Sequence, residues 1–237
     1  MTNPTEISAK YDLTNGIFNT IARRYDRTNS ILSFGFNALW HRKLIGEVRK
    51  VPHEKILDLA CGTGTLTKKL ASLPGTRVTG VDPSANMLSV AEKRLGTKEN
   101  ISLIKGYAES LPFSEGSFAV VTVSYGIRNF AQMEVSLQET WRVLEPGGRL
   151  FILEFSPEKG DSPGNVLKRF YIHRILPLIG WLSTGQKQAY RYLRDSVESF
   201  PQAGTICSKM EDAGFIEVSH TRLKPGVAVL FTGAKLR

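Results

Sequence analysis

The stretch at residues 56–64, Ile-Leu-Asp-Leu-Ala-Cys-Gly-Thr-Gly, decides the fold. Its apolar run predicts a buried strand, Gly62 and Gly64 predict a tight turn, and the leucine spacing that follows predicts a helix. A second apolar segment, residues 77–82, then ends in Asp82. A strand, a glycine turn, a helix and a second strand that ends in an acid are typical of a doubly wound, nucleotide-binding sheet.

The residues around the turn narrow the class of ligand. Gly64 is followed by Thr-Leu-Thr, so the third glycine of a dinucleotide motif and the Gly-Lys-Ser/Thr of a P-loop are both missing. Asp58 would repel a pyrophosphate but suits a cationic ligand with an amino-acid end, such as S-adenosylmethionine (SAM). Asp82 would accept the ribose hydroxyls. In the alternative interpretation, the unit is an ordinary strand–turn–helix in which Asp58 is a cap; the acid at Asp82 weighs against it.

The rest of the chain predicts five more strands around the same sheet. We place them at residues 101–105, 117–123, 149–155, 215–221 and 228–234, with a helix breaker at residues 145–148. This order resembles the class I SAM-dependent methyltransferases, which are α/β, Rossmann-like proteins with seven mostly parallel strands. The last strand is then expected to be antiparallel.

Candidate ligand-binding residues follow the third and fourth strands. The backbone N–H groups of Ala108 and Glu109, next to Tyr107, are placed to bind an adenine edge, and Ser124 ends the fourth strand. Met87 either packs on the adenine or belongs to the core. The convergence of these residues with Asp58 and Asp82 on four successive strands indicates one cofactor site.

The length fits one α/β domain with additions, and the resemblance implies that residues 1–237 form a single methyltransferase domain. It divides into an N-terminal helical cap (1–50), a SAM-binding core (51–155), an insertion over the substrate (156–200) and a C-terminal helix and hairpin (201–237). The net charge of +9 is uneven: residues 1–50 and 156–195 each carry +4, and the core is neutral. Basic surface suits nucleic acid or an anionic membrane, or merely keeps a protein in solution.

The cysteines and the apolar stretches of the sequence indicate the cellular compartment in which the protein is expected. Cys61 and Cys207 have no metal-like spacing, so we expect no metal site and a reducing compartment. No signal peptide is predicted, and the apolar run at residues 175–182 is too short to span a bilayer. We therefore expect a cytoplasmic protein.

One family is particularly similar to this sequence. The chain resembles the ubiquinone/menaquinone biosynthesis C-methyltransferases of the UbiE/MenG type along nearly its whole length. The matching stretches are residues 18–26, 33–35 with Trp40, 58–64, 108–113, 124–129, 142–155 and 190–200. The resemblance implies that SAM contacts Thr63, Asp82, the pair Tyr107 and Ala108, and Ser124. The family often has an asparagine where Tyr107 stands and an acid where Thr65 stands.

The resemblance implies methylation of a ring carbon on a demethylated polyprenyl quinol. Arg128 is the candidate for stabilising the phenolate that forms, and Tyr25 for orienting the second hydroxyl. His173 is a candidate proton acceptor, because histidine titrates near neutral pH, but the favoured interpretation is that it lies on a helix surface. Arg128 as a structural ion-pair partner, and Tyr25 as a core residue, are the alternatives.

The insertion fits a lipid substrate. It mixes apolar residues, including Phe170 and Trp181, with Lys168, Arg169 and Arg174, as a lid or a membrane-surface helix would. We therefore expect peripheral contact with the inner face of the membrane, no nucleic-acid partner, and a homodimer as the candidate assembly. Two rivals stay open: a methyltransferase for RNA or another small molecule, and a SAM-binding protein without catalysis.

Overall fold

The computed structural model describes Tyr11, Gly16, Tyr192 and residues 35–155, 195–224 and 228–237. Five helices of this part pack around one sheet: α1 Phe36–Val48, α2 Thr65–Leu70, α3 Ala85–Leu95, α4 Met133–Val143 and α5 Ala203–Asp212. The seven strands are β1 Lys55–Leu59, β2 Arg77–Asp82, β3 Ile101–Lys105, β4 Phe118–Ser124, β5 Leu144–Phe155, β6 Ile216–Arg222 and β7 Ala228–Ala234. A short 3-10 helix, Ile127–Asn129, follows β4.

The seven strands form a single sheet in the order β3-β2-β1-β4-β5-β7-β6. The first five are parallel, and β7 runs antiparallel to both β5 and β6. The predicted α/β class with seven mostly parallel strands is confirmed, and so is the antiparallel insertion of the last strand.

The sequence predicts that a helix stops at residues 145–148 and that the fifth strand begins at Arg149. The helix does end just before these residues, at Val143, but the predicted start of the strand was wrong, since β5 begins at Leu144. Residues 145–148 lie inside β5, because the strand begins at Leu144, which pairs with Phe118, but they have no partner in the register with β4 or β7. The register then shifts, so that Arg149 pairs with Val120. Gly147 has a φ of 81°, and a Cβ on Gly148 would lie 2.8 Å from the Glu145 carbonyl oxygen. The glycines therefore form an irregularity inside the strand rather than its boundary.

Apolar residues fill both faces of the sheet. On one face α1 and α2 pack through Trp40, Leu44 and Leu70, and on the other α4 and α5 pack through Leu137 and Ile206. Parallel strands covered on both faces are nearly continuous in hydrophobic residues, which is why β4 is buried along almost its whole length.

The register brings the ends of β2 and β4 to one level. Val81 and Val123 both pair with Leu59 of β1, so Asp82 and Ser124 flank Ala60 from either side. Ligands of open α/β sheets bind at this carboxyl edge. No helix in the described ranges is long and apolar enough to cross a membrane.

Candidate functional site

A cavity opens at the carboxyl ends of β1, β2 and β4. It is lined by seven of the residues predicted from the sequence: Asp58, Gly62, Thr63, Asp82, Met87, Ala108 and Ser124. The remaining predicted residues with described positions flank it or lie behind it. The predicted catalytic Tyr25, with His173 and the insertion's Lys168, Arg169 and Arg174, lies outside the described residues.

Asp82 ends β2 and is 7% exposed. Its Oδ2 accepts a hydrogen bond from the Gly62 N–H at 2.8 Å, and its Oδ1 accepts one from the Ser84 N–H at 2.9 Å. Burial raises the pKa of Asp82 from 3.8 to about 6, although the two N–H groups lower it. Each carboxylate oxygen keeps a second lone pair, so Asp82 can accept two further hydrogen bonds from a ligand diol.

Asp58 lies one residue before the end of β1 and is 1% exposed. The Thr67 hydroxyl donates to its Oδ2 at 2.6 Å, and the Thr122 hydroxyl donates to its Oδ1 at 2.9 Å. Burial raises the pKa of Asp58 from 3.8 to about 6 as well, because desolvation outweighs these two hydrogen bonds. Asp58 therefore ties β1 to β4 and to α2 in addition to lining the cavity.

The two glycines of the turn have different structural roles. Gly62, with a φ of 55°, has open space where a Cβ would stand, and its N–H holds Asp82. Gly64, with a φ of 73°, faces α3 instead: a Cβ there would lie 3.1 Å from atoms of Ala91 and Leu95. The prediction that both glycines bind the ligand is untested, but the space around Gly64 serves helix packing.

The backbone at the ends of β1 and β4 is strained. Ala60 has a φ of 56° and Tyr125 a φ of 57°, which residues with a side chain rarely adopt. Gly126 follows Tyr125, and a Cβ on it would lie 2.5 Å from the Cβ of Ala60. All three residues line the cavity, and such strain is characteristic of ligand sites.

Thr63 is held from behind by α3. Arg94 donates through Nη1 to the Thr63 carbonyl oxygen at 2.9 Å and to its hydroxyl at 3.0 Å, and it also bonds Thr65. The Thr63 hydroxyl thus already accepts one hydrogen bond from the protein. Arg94 was not predicted as part of this site.

The proposed adenine side contains a cluster that the sequence did not reveal. Ala108 and Met87 line the cavity, whereas Tyr107 and Glu109 flank it. Tyr11, 3% exposed, packs its ring 4.9 Å from that of Tyr107 and donates its hydroxyl to Glu109 at 2.9 Å.

The Glu109 carboxylate also accepts from the N–H groups of Ala131 and Gln132, at 2.7 and 3.1 Å. Burial and the neighbouring carboxylate raise the pKa of Tyr11 well above its usual range. The side chain of Glu109 therefore joins Tyr11 to the start of α4. The predicted contact of its backbone with adenine stays a prediction.

Ser124 faces a second unpredicted pair. The Nε2 of His41, on α1, lies 3.0 Å from the Ser124 hydroxyl, and Lys69, on α2, donates to the Nδ1 of His41 at 3.3 Å. His41 is 6% exposed, and all three residues line the cavity. No motif pointed to His41 or Lys69, because only folding brings α1 and α2 together over the end of β4.

Arg128 lies behind the cavity wall, in the 3-10 helix after β4. Its Nη1 donates to Glu154 Oε1 at 2.7 Å and to the Tyr125 carbonyl oxygen at 2.8 Å. Burial raises the pKa of Glu154, and Arg128 opposes that change. This is the ion-pair role that the sequence analysis left as the alternative, while a role for Arg128 on a substrate oxygen stays a prediction. Beside it, Tyr192 donates to the side chain of Asn129, which lines the cavity, at 2.9 Å.

Metal-ligating side chains are dispersed in the described part of the chain. No cluster of three or more histidine, cysteine, aspartate or glutamate side chains there could hold a metal ion. Both cysteines, Cys61 and Cys207, are free thiols.

Comparison with known proteins identifies the family to which the chain belongs. A family model described as the ubiE/COQ5 methyltransferase family matches residues 6–235. Over 235 residues the chain is 36% identical to the ubiquinone/menaquinone biosynthesis C-methyltransferase UbiE of Shewanella halifaxensis, covering 97% of this chain and 93% of that protein. The corresponding UbiE of Shewanella frigidimarina is 37% identical with the same coverage.

Solved structures resemble the chain in fold. A SAM-dependent methyltransferase from Thermotoga maritima superposes with a TM-score of 0.65 at 21% identity, covering 93% of this chain and 98% of that one. The phosphoethanolamine N-methyltransferase 2 of Haemonchus contortus, in complex with SAM, superposes with a TM-score of 0.61 at 15% identity, covering 83% and 53%. At these identities the likeness establishes the class I methyltransferase fold.

Proposed function

The chain belongs to the ubiE/COQ5 methyltransferase family, and on this premise we propose that it methylates a ring carbon of a demethylated polyprenyl quinol, with SAM as methyl donor. The quinol is a demethylmenaquinol, the methoxy-benzoquinol of ubiquinone biosynthesis, or both. The predictions of an enzyme and of a SAM-dependent methyltransferase are confirmed by the family.

The residues around the cavity fit SAM by the chemistry of their side chains. Asp82 offers two carboxylate oxygens to a ribose diol, and Met87 and Ala108 offer apolar surface beside them to an adenine. The open space at Gly62 lets a ligand approach the turn closely. SAM bound here would supply a methyl group made electrophilic by its sulfonium.

The protein's part in the reaction is to hold the quinol and to stabilise charge on its oxygen. A quinol ring carbon becomes nucleophilic when the neighbouring hydroxyl gives up its proton, so a cation near that oxygen favours the reaction. Arg128 is the proposed cation and Tyr25 the proposed partner of the second hydroxyl. Arg128 would act from its ion pair with Glu154, at the rear of the wall formed by Tyr125 and Asn129.

One observation carries the proposal. The same cavity is lined by residues at or near the carboxyl ends of four adjacent strands, namely Ala108, Asp82, Asp58 and Ser124. The chain that holds them matches UbiE proteins over almost its whole length. A binding protein without catalysis would also need the cavity. The family match favours the enzyme, and the fold alone would not.

The test is methyl transfer to a reduced, short-tailed demethylmenaquinone under anaerobic conditions. Mass spectrometry should detect the methylated ring with the quinol and not with the oxidised quinone, whose ring carbon is electrophilic. Asp82→Ala should abolish most of the transfer by weakening SAM binding. Transfer to RNA in place of the quinol, or SAM binding without any transfer, would favour one of the two rivals.

We further propose how the enzyme meets its substrate. The basic and apolar residues 156–195 would form a lid that docks on an anionic membrane and admits the prenyl tail. The division into cap, core, lid and C-terminal hairpin belongs to this proposal, as do a cytoplasmic location at the inner face of the membrane and a homodimer. Light scattering after gel filtration tests the homodimer.

Liposome co-sedimentation tests the docking surface. Neutralising Lys168, Arg169 and Arg174 to glutamine should reduce binding to anionic vesicles and slow turnover of a long-tailed quinol, while sparing a short-tailed one. The matched control neutralises three exposed lysines of the core, Lys68, Lys93 and Lys98, and so makes the same change in charge. Equal loss of binding in both triple variants would show a non-specific effect of net charge.

A further inference from the structure

Three side chains from three elements form a chain of hydrogen bonds along one wall of the cavity. Lys69 of α2 contacts the Nδ1 of His41 at 3.3 Å, and the Nε2 of His41 contacts the Ser124 hydroxyl at 3.0 Å. His41 is almost fully buried and Lys69 is half-buried. The methyl-transfer proposal uses neither His41 nor Lys69.

The direction of these hydrogen bonds follows from Lys69. An ammonium group only donates, so the Nδ1 of His41 accepts the hydrogen bond from Lys69. The ring hydrogen of His41 is therefore on Nε2. Nε2 therefore donates to the Ser124 oxygen, and the hydrogen of the Ser124 hydroxyl is left to point elsewhere. Since Ser124 lines the cavity, that hydrogen is available to an acceptor on a ligand.

Charge favours an anionic acceptor. In the described part of the chain, no carboxylate lies within ion-pair distance of Lys69. A half-buried ammonium without a counterion is stabilised when an anion binds beside it.

The position of Ser124 identifies which part of SAM it meets. Asp82 and Ser124 stand at the same level on either side of Ala60, two strand spacings apart, which is about 10 Å. A chain of about seven single bonds joins the ribose hydroxyl carbons of SAM to its carboxylate carbon, and it spans roughly the same distance. With the ribose on Asp82, the carboxylate of SAM reaches the region of Ser124.

We propose that Lys69, His41 and Ser124 form the binding site for the carboxylate of SAM, in which His41 orients the Ser124 hydroxyl and Lys69 supplies the positive charge. His41 is a positioning residue, since it acts through Ser124. The inference deepens the proposed use of SAM and rests on it.

Calorimetric titration with two ligands tests the site. SAM is compared with decarboxylated SAM, which has the same ribose, adenine and sulfonium but no carboxylate. The wild-type protein should bind SAM about 10- to 100-fold more tightly, as expected for hydrogen bonds to a charged group. Lys69→Met and Ser124→Ala should each lose most of this preference, while Ser124→Thr, which keeps a hydroxyl, should retain it.

Two further variants separate carboxylate recognition from general damage. Lys68→Met, the neighbouring exposed lysine on α2, should leave both affinities unchanged. Asp82→Asn should weaken both ligands by the same factor, because both carry the ribose.

The inference is overturned if the wild-type protein does not distinguish the two ligands. It is also overturned if Lys69→Met and Ser124→Ala weaken both ligands equally, or neither. Failure of the wild-type protein to bind SAM at all would instead overturn the proposed function.

Discussion

The guanidinium of Arg128 lies 2.7 Å from the carboxylate of Glu154, and the two side chains are only 3% and 0% exposed. Removing one partner of such a pair leaves a buried charge without compensation. We therefore expect Arg128→Ala to lower the free energy of unfolding by about 3–5 kcal/mol, measured by urea denaturation. Lys50→Ala, which removes an exposed ion pair of the same length with Glu47, should cost less than about 1 kcal/mol.

The ion pair also changes how the catalytic role of Arg128 must be tested, because loss of activity in Arg128→Ala alone would follow from loss of structure. The double variant Arg128→Met with Glu154→Leu replaces both charges by apolar groups and should regain most of the stability. If Arg128 stabilises the phenolate, the double variant should still have a low kcat with an unchanged affinity for SAM. A normal kcat in that variant would assign Arg128 to structure alone.

The pKa of Asp82 predicts how SAM binding depends on pH. Asp82 has a pKa of about 6, and a protonated carboxyl is a weaker acceptor for the ribose hydroxyls than a carboxylate. SAM affinity should therefore fall as the pH drops through about 6, when measured by calorimetry between about pH 5 and about pH 8. Asp82→Asn should bind SAM about 1.5–3 kcal/mol more weakly and lose this dependence. Asp58→Asn should keep it; if it does not, the dependence belongs to Asp58.

Asp58 predicts a pH dependence of stability in the opposite direction from that of a salt-bridged acid. Its pKa rises on folding from 3.8 to about 6, so the folded protein binds the proton more tightly than the unfolded chain. The stability gained from this proton is complete below about pH 4 and is lost as the pH rises to about 6. The loss is at most about 3 kcal/mol for Asp58.

Asp58→Asn isolates that contribution, because the hydroxyls of Thr67 and Thr122 can reorient to an amide. In the absence of SAM, the free energy of unfolding of the wild-type protein should fall between about pH 4 and about pH 6, and part of the fall should disappear in Asp58→Asn. Asp212→Asn, a change at an exposed carboxylate, serves as control. An identical pH profile for Asp58→Asn and the wild-type protein would contradict the shift.

The sequence was sufficient for the sheet and for the residues that end its strands. Periodicity identifies β1, β2 and β4, and the parallel arrangement then brings Asp58, Asp82 and Ser124 to one edge without further information. Local pattern misplaced only the start of β5. A proline and two glycines at residues 145–148 correctly predict the end of the helix, but β5 begins before them, because Leu144 pairs with Phe118 of β4.

The hydrogen bonds that hold the site residues in place could not be predicted, because they join elements that are far apart in the chain. Tyr11 and Glu109 are 98 residues apart, and His41 and Ser124 are 83 apart. Nothing in the polar sequence around Tyr11, or in the helix around His41, distinguishes these residues from surface or core positions. Arg128, in the 3-10 helix, shows the same limit, since its partner Glu154 is on β5, 26 residues further along the chain.

Tyr11 and Glu109 allow a direct test of the N-terminal contact. Tyr11→Phe keeps the ring on Tyr107 but removes a buried hydrogen bond to a carboxylate, which should cost about 1.5–3 kcal/mol in urea denaturation. Tyr192→Phe removes a hydrogen bond to the neutral amide of Asn129 and should cost about 0.5–1.5 kcal/mol. Equal losses of unfolding free energy in the two variants would contradict this expectation. The hydrogen bond from Tyr11 would then add little to the stabilisation of Glu109 by the N–H groups of Ala131 and Gln132.

The close approach of β1 and β4 at Gly126 gives the last prediction. A Cβ at this position would lie 2.5 Å from that of Ala60, which already has a strained backbone, so Gly126→Ala must push the ends of the two strands apart. We expect a loss of about 1–3 kcal/mol in the free energy of unfolding, as in overpacked cores. SAM affinity should fall as well, because Ala60 and Gly126 both line the cavity.

Gly46→Ala is the matched control for this change. Gly46 lies inside α1 with no atom within 4 Å of the added Cβ, so the same substitution there should stabilise the protein by about 0.5–1 kcal/mol and leave SAM binding unchanged. Equal stability of Gly126→Ala and the wild-type protein would show that the strand ends can separate without cost. A stable Gly126→Ala with weakened SAM binding would instead show that the close contact of Ala60 and Gly126 serves the ligand rather than the fold.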